Sequence, residues 1–151
     1  MIPLWYDIAL REIGVAEVSG PSANPRILEY LRETPLAQGG ESDETPWCAA
    51  FVNCCLAQAQ IPGTKSAAAR SFLKWGAARD PRPGAIVVIR RLVGTTPITA
   101  SGFHVGFFVS GTEKTIRLLG GNQGNAVKES DFPLLKWNVL AIRWPVEERH
   151  T

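Results

Sequence analysis

The chain has 151 residues, of which 45% are hydrophobic and 20% charged, and its formal net charge is +2. That length suits one compact domain with a sizeable core, and so small a net charge gives no case for a nucleic-acid partner. Three cysteines, two of them adjacent, make a poor disulfide framework and suit a protein made in a reducing compartment.

The opening "MIPLWYDIAL" lacks a basic region and carries Asp7, so it does not read as a secretory signal. No apolar run nears the roughly 18 residues of a membrane span. The expectation is synthesis in the cytoplasm without a signal peptide and no stable membrane insertion. Leu4, Ile8, Ile13 and Val15 fall at near-helical spacing and predict a first helix that ends around Gly14. Turn residues occupy 19–22. Asn24 then caps a second helix, with Pro25 at its first position and an end near Arg32. Residues 33–45 are polar, include Gly39-Gly40, and read as a loop.

"TPWCAAFVNCCLAQA" predicts a third helix, with Thr45 as cap and Pro46 where proline is tolerated, stopping before Pro62-Gly63. "SAAARSFLKWG", from Ser66 to Gly76, predicts a fourth. Beyond Pro81 the pattern turns to β-branched and alternating residues, with strands expected over 84–91, 103–110, 115–120 and 138–144. "LVGTTPITASG" and "GNQGN" read as loops. Helices first and an antiparallel sheet afterwards predict an α+β fold in a single domain over 1–151, with 146–151 as a flexible tail.

Cys48 carries the first chemical signal. A thiol in the first turn of a helix faces unpaired backbone N–H groups and the positive end of the macrodipole, which favour thiolate. Cys54 and Cys55 lie about two turns deeper and read as small core residues. Cys48, Phe51, Val52 and Cys55 share one helix face, and Cys54 points elsewhere. A thiol nucleophile needs a base. His150 falls in the charged tail, which leaves His104, at the start of "FHVGFFVS". Strand alternation puts His104, Gly106, Phe108 and Ser110 on one face, with Gly106 leaving room beside the imidazole.

Asn122, in "LLGGNQGN" just past the next strand, can orient that imidazole, the paired glycines before it permitting unusual backbone angles; the same letters also suit a plain loop. Trp47 and Gln123 are candidates for contacting substrate and Trp75 for lining the groove, although each tryptophan also suits the core. Zinc is a poor alternative: Cys54 and Cys55 project about 100° apart on a helix, and no C-x₂-C pair occurs. Phosphate-binding glycine loops are absent. No metal or other cofactor is expected. Arg90-Arg91 and the pair Arg79 and Arg82 read as solvated edges with a mild attraction to an anionic polymer.

"PWCAAFVNCCL", "PGAIVV", "HVGFFV", "LLGGNQGNAV" and "IRWP", in that order, resemble the CHAP family of cysteine, histidine-dependent amidohydrolases and peptidases, and within it the single-domain proteins of bacteriophages and prophages. The resemblance implies a papain-like or NlpC-like arrangement, with a helix carrying the nucleophile packed on a sheet carrying the base. It implies Cys48 as nucleophile, His104 as base and Asn122 as orienter. It also implies cleavage of peptidoglycan, at the N-acetylmuramoyl–L-alanine amide or within the stem or bridge peptide, without a metal. The chain departs from the family where many members carry an acidic residue shortly before the third polar position, since Gly120-Gly121 stands there. Asp43 and Glu44 lie where relatives place a polar residue near the oxyanion site.

Three roles follow as expectations. The chain is a monomeric phage endolysin released by a holin and acting at the wall, or an antibacterial effector with an immunity protein as partner. The third is a non-catalytic domain that binds wall fragments or serves as a structural phage component.

Overall fold

The computed structural model describes residues 2–18, 24–34, 47–93, 96–97 and 102–146. Three helices precede the strands: α1 (Leu4–Arg11), α2 (Pro25–Leu31) and α3 (Cys48–Gln58). The strands are β1 (Ala77–Ala78), β2 (Ile86–Val93), β3 (Thr96–Pro97), β4 (Phe103–Gly111), β5 (Thr115–Gln123), β6 (Ala126–Pro133) and β7 (Trp137–Trp144). Six of them form one antiparallel sheet in the order β1-β7-β2-β4-β5-β6, and β3 pairs with β2. The class is α+β, as expected. No helix among the described residues is long and apolar enough to cross a membrane.

The second helix forms as its sequence predicts: Asn24 accepts from the Arg26 N–H at 2.9 Å, and Pro25 stands at the first turn. The third begins later than expected. Its cap is Trp47, without a side-chain cap bond, and Thr45 and Pro46 lie outside the described residues, as do Asp43, Glu44, His150 and the tail from 147. Cys48 is therefore the first residue of α3.

The fourth predicted helix is corrected to a 3₁₀ turn over Ala69–Phe72. Polar side chains compete with a helical ladder here: Ser66 Oγ accepts from the Ala68 N–H, and Asn53 Oδ1 accepts from the Lys65 N–H. Gly76 then turns the chain at φ +61 so that Ala77–Ala78 can pair with β7.

Two further corrections concern the end of the sheet. "GNQGN" is not a loop: β5 runs on through Gln123, and Gly124-Asn125, both at φ +62, make a two-residue hairpin turn of the kind that needs positive φ at both positions. The strand β6 was not expected, because "AVKESDFP" has no apolar alternation. Cross-strand pairing supports it instead, with Arg117 of β5 donating to Glu129 and Asp131, each at 3.0 Å.

Only Leu134–Lys136 separate β6 from β7, yet β5, β4 and β2 lie between them in the sheet. The sheet must therefore curl strongly. Its concave interior is a second apolar cluster of Val87, Ile89, Ile116 and Leu118, against which Phe132, Leu134 and Trp137 pack. The main core lies on the other face, where α3 packs on β4 and β5 with every residue from Cys48 to Leu56 buried. Phe51 is central: its ring meets Tyr30 at 5.1 Å and Phe107 at 6.2 Å, both edge-on.

Gly121 lets β5 come this close to α3, since a Cβ there would lie 2.7 Å from the Trp47 ring and from Phe51 Cβ. Gly121→Ala is expected to destabilise the fold by about 1–3 kcal/mol through overpacking, read as a lower midpoint of urea unfolding.

Candidate active site

The site forms where two strands part. The β4–β5 ladder ends at the pair Phe107–Leu119, and beyond it His104–Gly106 pair with β2 alone, through Ile89–Val87. The N-terminus of α3 meets this notch. The Val105 N–H, outside the β4–β5 ladder, and the Ala49 N–H of the first helical turn both act on the Cys48 sulfur and favour its thiolate. The Cys48 side chain also bonds the His104 imidazole. Cys48 is 8% exposed, and His104 is half-buried.

The electrostatics favour an ion pair. Burial alone would raise the Cys48 pKa, but the imidazolium of His104 and the hydrogen bonds to sulfur overcome it and leave the thiol below its ordinary value. Burial alone would lower the His104 pKa, but the Cys48 thiolate and the bonds to Cys48 and Gln123 leave it raised. The other two thiols behave oppositely. Burial pushes Cys54 up to about 11 and Cys55 well above its ordinary value. All three cysteines are unpaired and buried, so burial does not distinguish Cys48; its partners do.

The residue that orients the imidazole is Gln123, not Asn122. Gln123 Oε1 lies 2.9 Å from His104 Nε2. Its amide nitrogen donates to the carbonyls of Leu118 at 3.1 Å and Lys128 at 2.7 Å, so the oxygen must face the ring. Nε2 then carries the proton, and Nδ1 is left for the thiol. Asn122 contributes backbone instead. It sits at φ +58, within the irregularity that shifts the β5–β6 register between Gly120 and Gln123. This bulge resets the alternation and turns Gln123 inward. The expected substrate-contacting role of Gln123 is corrected accordingly: it is 5% exposed and fully engaged.

The paired glycines act through space rather than through backbone angle, since neither has positive φ. A Cβ on Gly120 would lie 2.4 Å from Gln123 Oε1. Gly106, expected to leave room beside the imidazole, does so indirectly: a Cβ there would meet the Leu119 carbonyl at 3.2 Å and Gln123 Oε1 at 3.5 Å. Phe132 of β6 completes the surroundings, its ring 5.3 Å from the imidazole and inclined by 30°. Sequence reasoning missed this contact because it missed the strand.

Trp47 does not line a groove. It is fully buried, stacks on Tyr30 at 5.7 Å and donates to Glu17 at 3.2 Å. Trp75 is half-buried, donates to the Pro62 carbonyl and packs edge-on against Phe72.

The arrangement can attack an acyl carbon. The thiolate is the nucleophile, and the protonated imidazole can deliver a proton to the leaving group. The Cys48 N–H, one of the orphan donors at the start of α3, is suited to an oxyanion. Two responses to pH follow. Alkylation of Cys48 by iodoacetamide should persist to lower pH than that of an ordinary thiol, and should slow as pH falls through its lowered pKa. Hydrolysis should also decline at high pH, as His104 loses its proton through its raised pKa, while alkylation persists. Rates measured across a pH series separate the two limbs.

No family model matches this chain, and no curated protein matches it either.

Proposed function

We propose that this protein is a cysteine amidohydrolase that cleaves amide bonds of peptidoglycan, with Cys48 as nucleophile, His104 as general acid and base, and Gln123 as the residue that holds His104. The observation that carries the reading is the pairing of the first thiol of α3 with an imidazole whose tautomer a buried amide sets. A helix-borne thiolate beside an oriented imidazole is an arrangement suited to acyl transfer and recurs on unrelated folds. The reading of the fold as papain-like or NlpC-like draws on the same feature, a nucleophile helix packed on an antiparallel sheet that carries the base.

In the proposed cycle, the Cys48 thiolate adds to the amide carbonyl and the Cys48 N–H holds the oxyanion. His104 protonates the leaving amine, then takes a proton from water as the thioester is hydrolysed. The substrate class follows from the resemblance to CHAP proteins in "PWCAAFVNCCL", "HVGFFV" and "LLGGNQGNAV". Digestion of purified sacculi followed by mass spectrometry tests it. The expected products are soluble fragments with new amines at glycan-linked alanine or within the peptides, and intact sacculi after prolonged incubation would overturn the assignment.

A further inference from the structure

The small net charge conceals a marked asymmetry along the chain. Residues 45–112 carry seven Lys or Arg and a single acid, Asp80, whereas residues 1–44 carry eight acids and three bases. The fold gathers several of these cations at one edge of the sheet. Arg79 and Arg82 both lie over the Trp144 ring, at 5.3 and 4.6 Å from its centroid. Arg143, beside Trp144 on β7, donates to the carbonyls of Trp75 and Gly76. Lys74, Arg79 and Arg82 are exposed, and none of them pairs with a carboxylate among the described residues, unlike Arg11, Arg26 and Arg117.

Two adjoining depressions mark the same edge. One, of about 790 Å³, is lined by Ala78, Arg79, Asp80, Pro81 and Arg82. The other, of about 390 Å³, shares Ala78 and Arg79 with it and runs along β7 to Arg143. Stacking on an indole engages the face of a guanidinium and leaves its in-plane N–H donors outward, the geometry that grips a carboxylate with two bonds.

The patch is separate from the catalytic notch. Val105, at the Cys48 sulfur, is level with Val88 and Ala141 across β2 and β7. Trp144 is three residues further along and the patch a strand further out, a displacement on the order of 15 Å.

We propose that this edge is a second contact for the wall polymer, which binds the free carboxylates of its stem peptides and keeps the enzyme on the sacculus between cleavages. The proposal rests on the peptidoglycan reading above. A purely structural role also exists for such charges, since cations on a short edge strand discourage pairing with another chain; that role predicts no dependence on the substrate's carboxylates.

The test uses the full chain with Cys48→Ala, so that sacculi are bound but not consumed, and measures co-sedimentation at low salt. Adding Arg79→Gln and Arg82→Gln should weaken binding roughly five- to tenfold. Arg79→Lys with Arg82→Lys, which keeps the charge but not the two-bond fork, should bind between the parent and the glutamine variant, and an unchanged urea midpoint in both variants controls for folding. Sacculi whose carboxylates have been amidated should lose the parent protein to the same extent, with no variant required. Sacculi stripped of phosphodiesters by hydrofluoric acid should not.

Unchanged sedimentation of the glutamine variant would overturn the proposal. So would a loss confined to phosphodiester removal, or a defect seen on DNA or phosphatidylglycerol vesicles but not on sacculi. Hydrolysis by the unmodified protein is read separately: activity with arginine-independent binding sinks the docking edge alone, and arginine-dependent binding without activity sinks the enzymatic reading.

Discussion

Replacement of Cys48 by alanine is expected to abolish release of soluble fragments from sacculi, by roughly 10⁴-fold or more, the scale on which hydrolases lose activity with a nucleophile or its base. The fold should survive. The side chain is small, and what it contributes beyond packing is the sulfur that His104, Val105 and Ala49 address. The controls lie in the same helix. Cys54→Ser and Cys55→Ser should keep activity and cost about 1–3 kcal/mol where the hydroxyl finds no partner. The cost should be smaller at Cys54, where Gln58 already donates to the sulfur at 3.4 Å. Fragment release and urea unfolding, measured on all three variants, give the comparison. Comparable activity of the alanine variant would remove Cys48 from the mechanism.

Replacement of Gln123 by alanine is expected to lower kcat on the order of 10²-fold, with KM little changed, because the residue touches the imidazole and not the substrate. Without Oε1 to accept from the Nε2–H, the imidazolium loses a partner that stabilises and orients it, which weakens its pairing with the Cys48 thiolate. The Leu118 and Lys128 carbonyls that Gln123 satisfies would also lose donors, so stability should fall by roughly 1–3 kcal/mol. Asn122→Ala serves as the contrast. Its expected cost is to the backbone at φ +58, and Asn122→Gly, which relieves that cost, should leave kcat near that of the unmodified chain. A loss of kcat at Asn122→Gly with full activity at Gln123→Ala would reverse the assignment. The alkylation profile gives a second readout: Gln123→Ala should move the reactive window of Cys48 toward the ordinary thiol range.

Much of this was legible in the chain. The capping residues Asn24 and Pro25 mark the start of α2 without reference to anything distant. The β-branched run in β2 and the alternation in β4 mark strands, and the order of helices and strands marks the class. The pairing of a helix-mouth thiol with the sole histidine outside the tail was also open to inspection. What was not legible depends on partners far away in sequence. The strand β6 is polar and exists because β5 supplies its hydrogen bonds and Arg117 its counter-charge. The segment from Ser66 has helix-forming residues but bends into a 3₁₀ turn, because Asn53, Thr64 and Ser66 claim backbone groups at its start and β7 claims its end.

The choice between Asn122 and Gln123 shows the division most clearly. By itself the sequence determined that two adjacent amides follow a strand near the histidine, that glycines precede them, and that Cys48 stands apart from Cys54 and Cys55. Only the tertiary structure decided which amide meets the imidazole. Side-chain direction in a strand follows a period of two only while the register is unbroken, and the bulge at Asn122 breaks it. Beside the bulge, Gly121 lets β5 approach Trp47 and Phe51, some 70 positions away, while Gly120 leaves the space that Gln123 Oε1 occupies against His104.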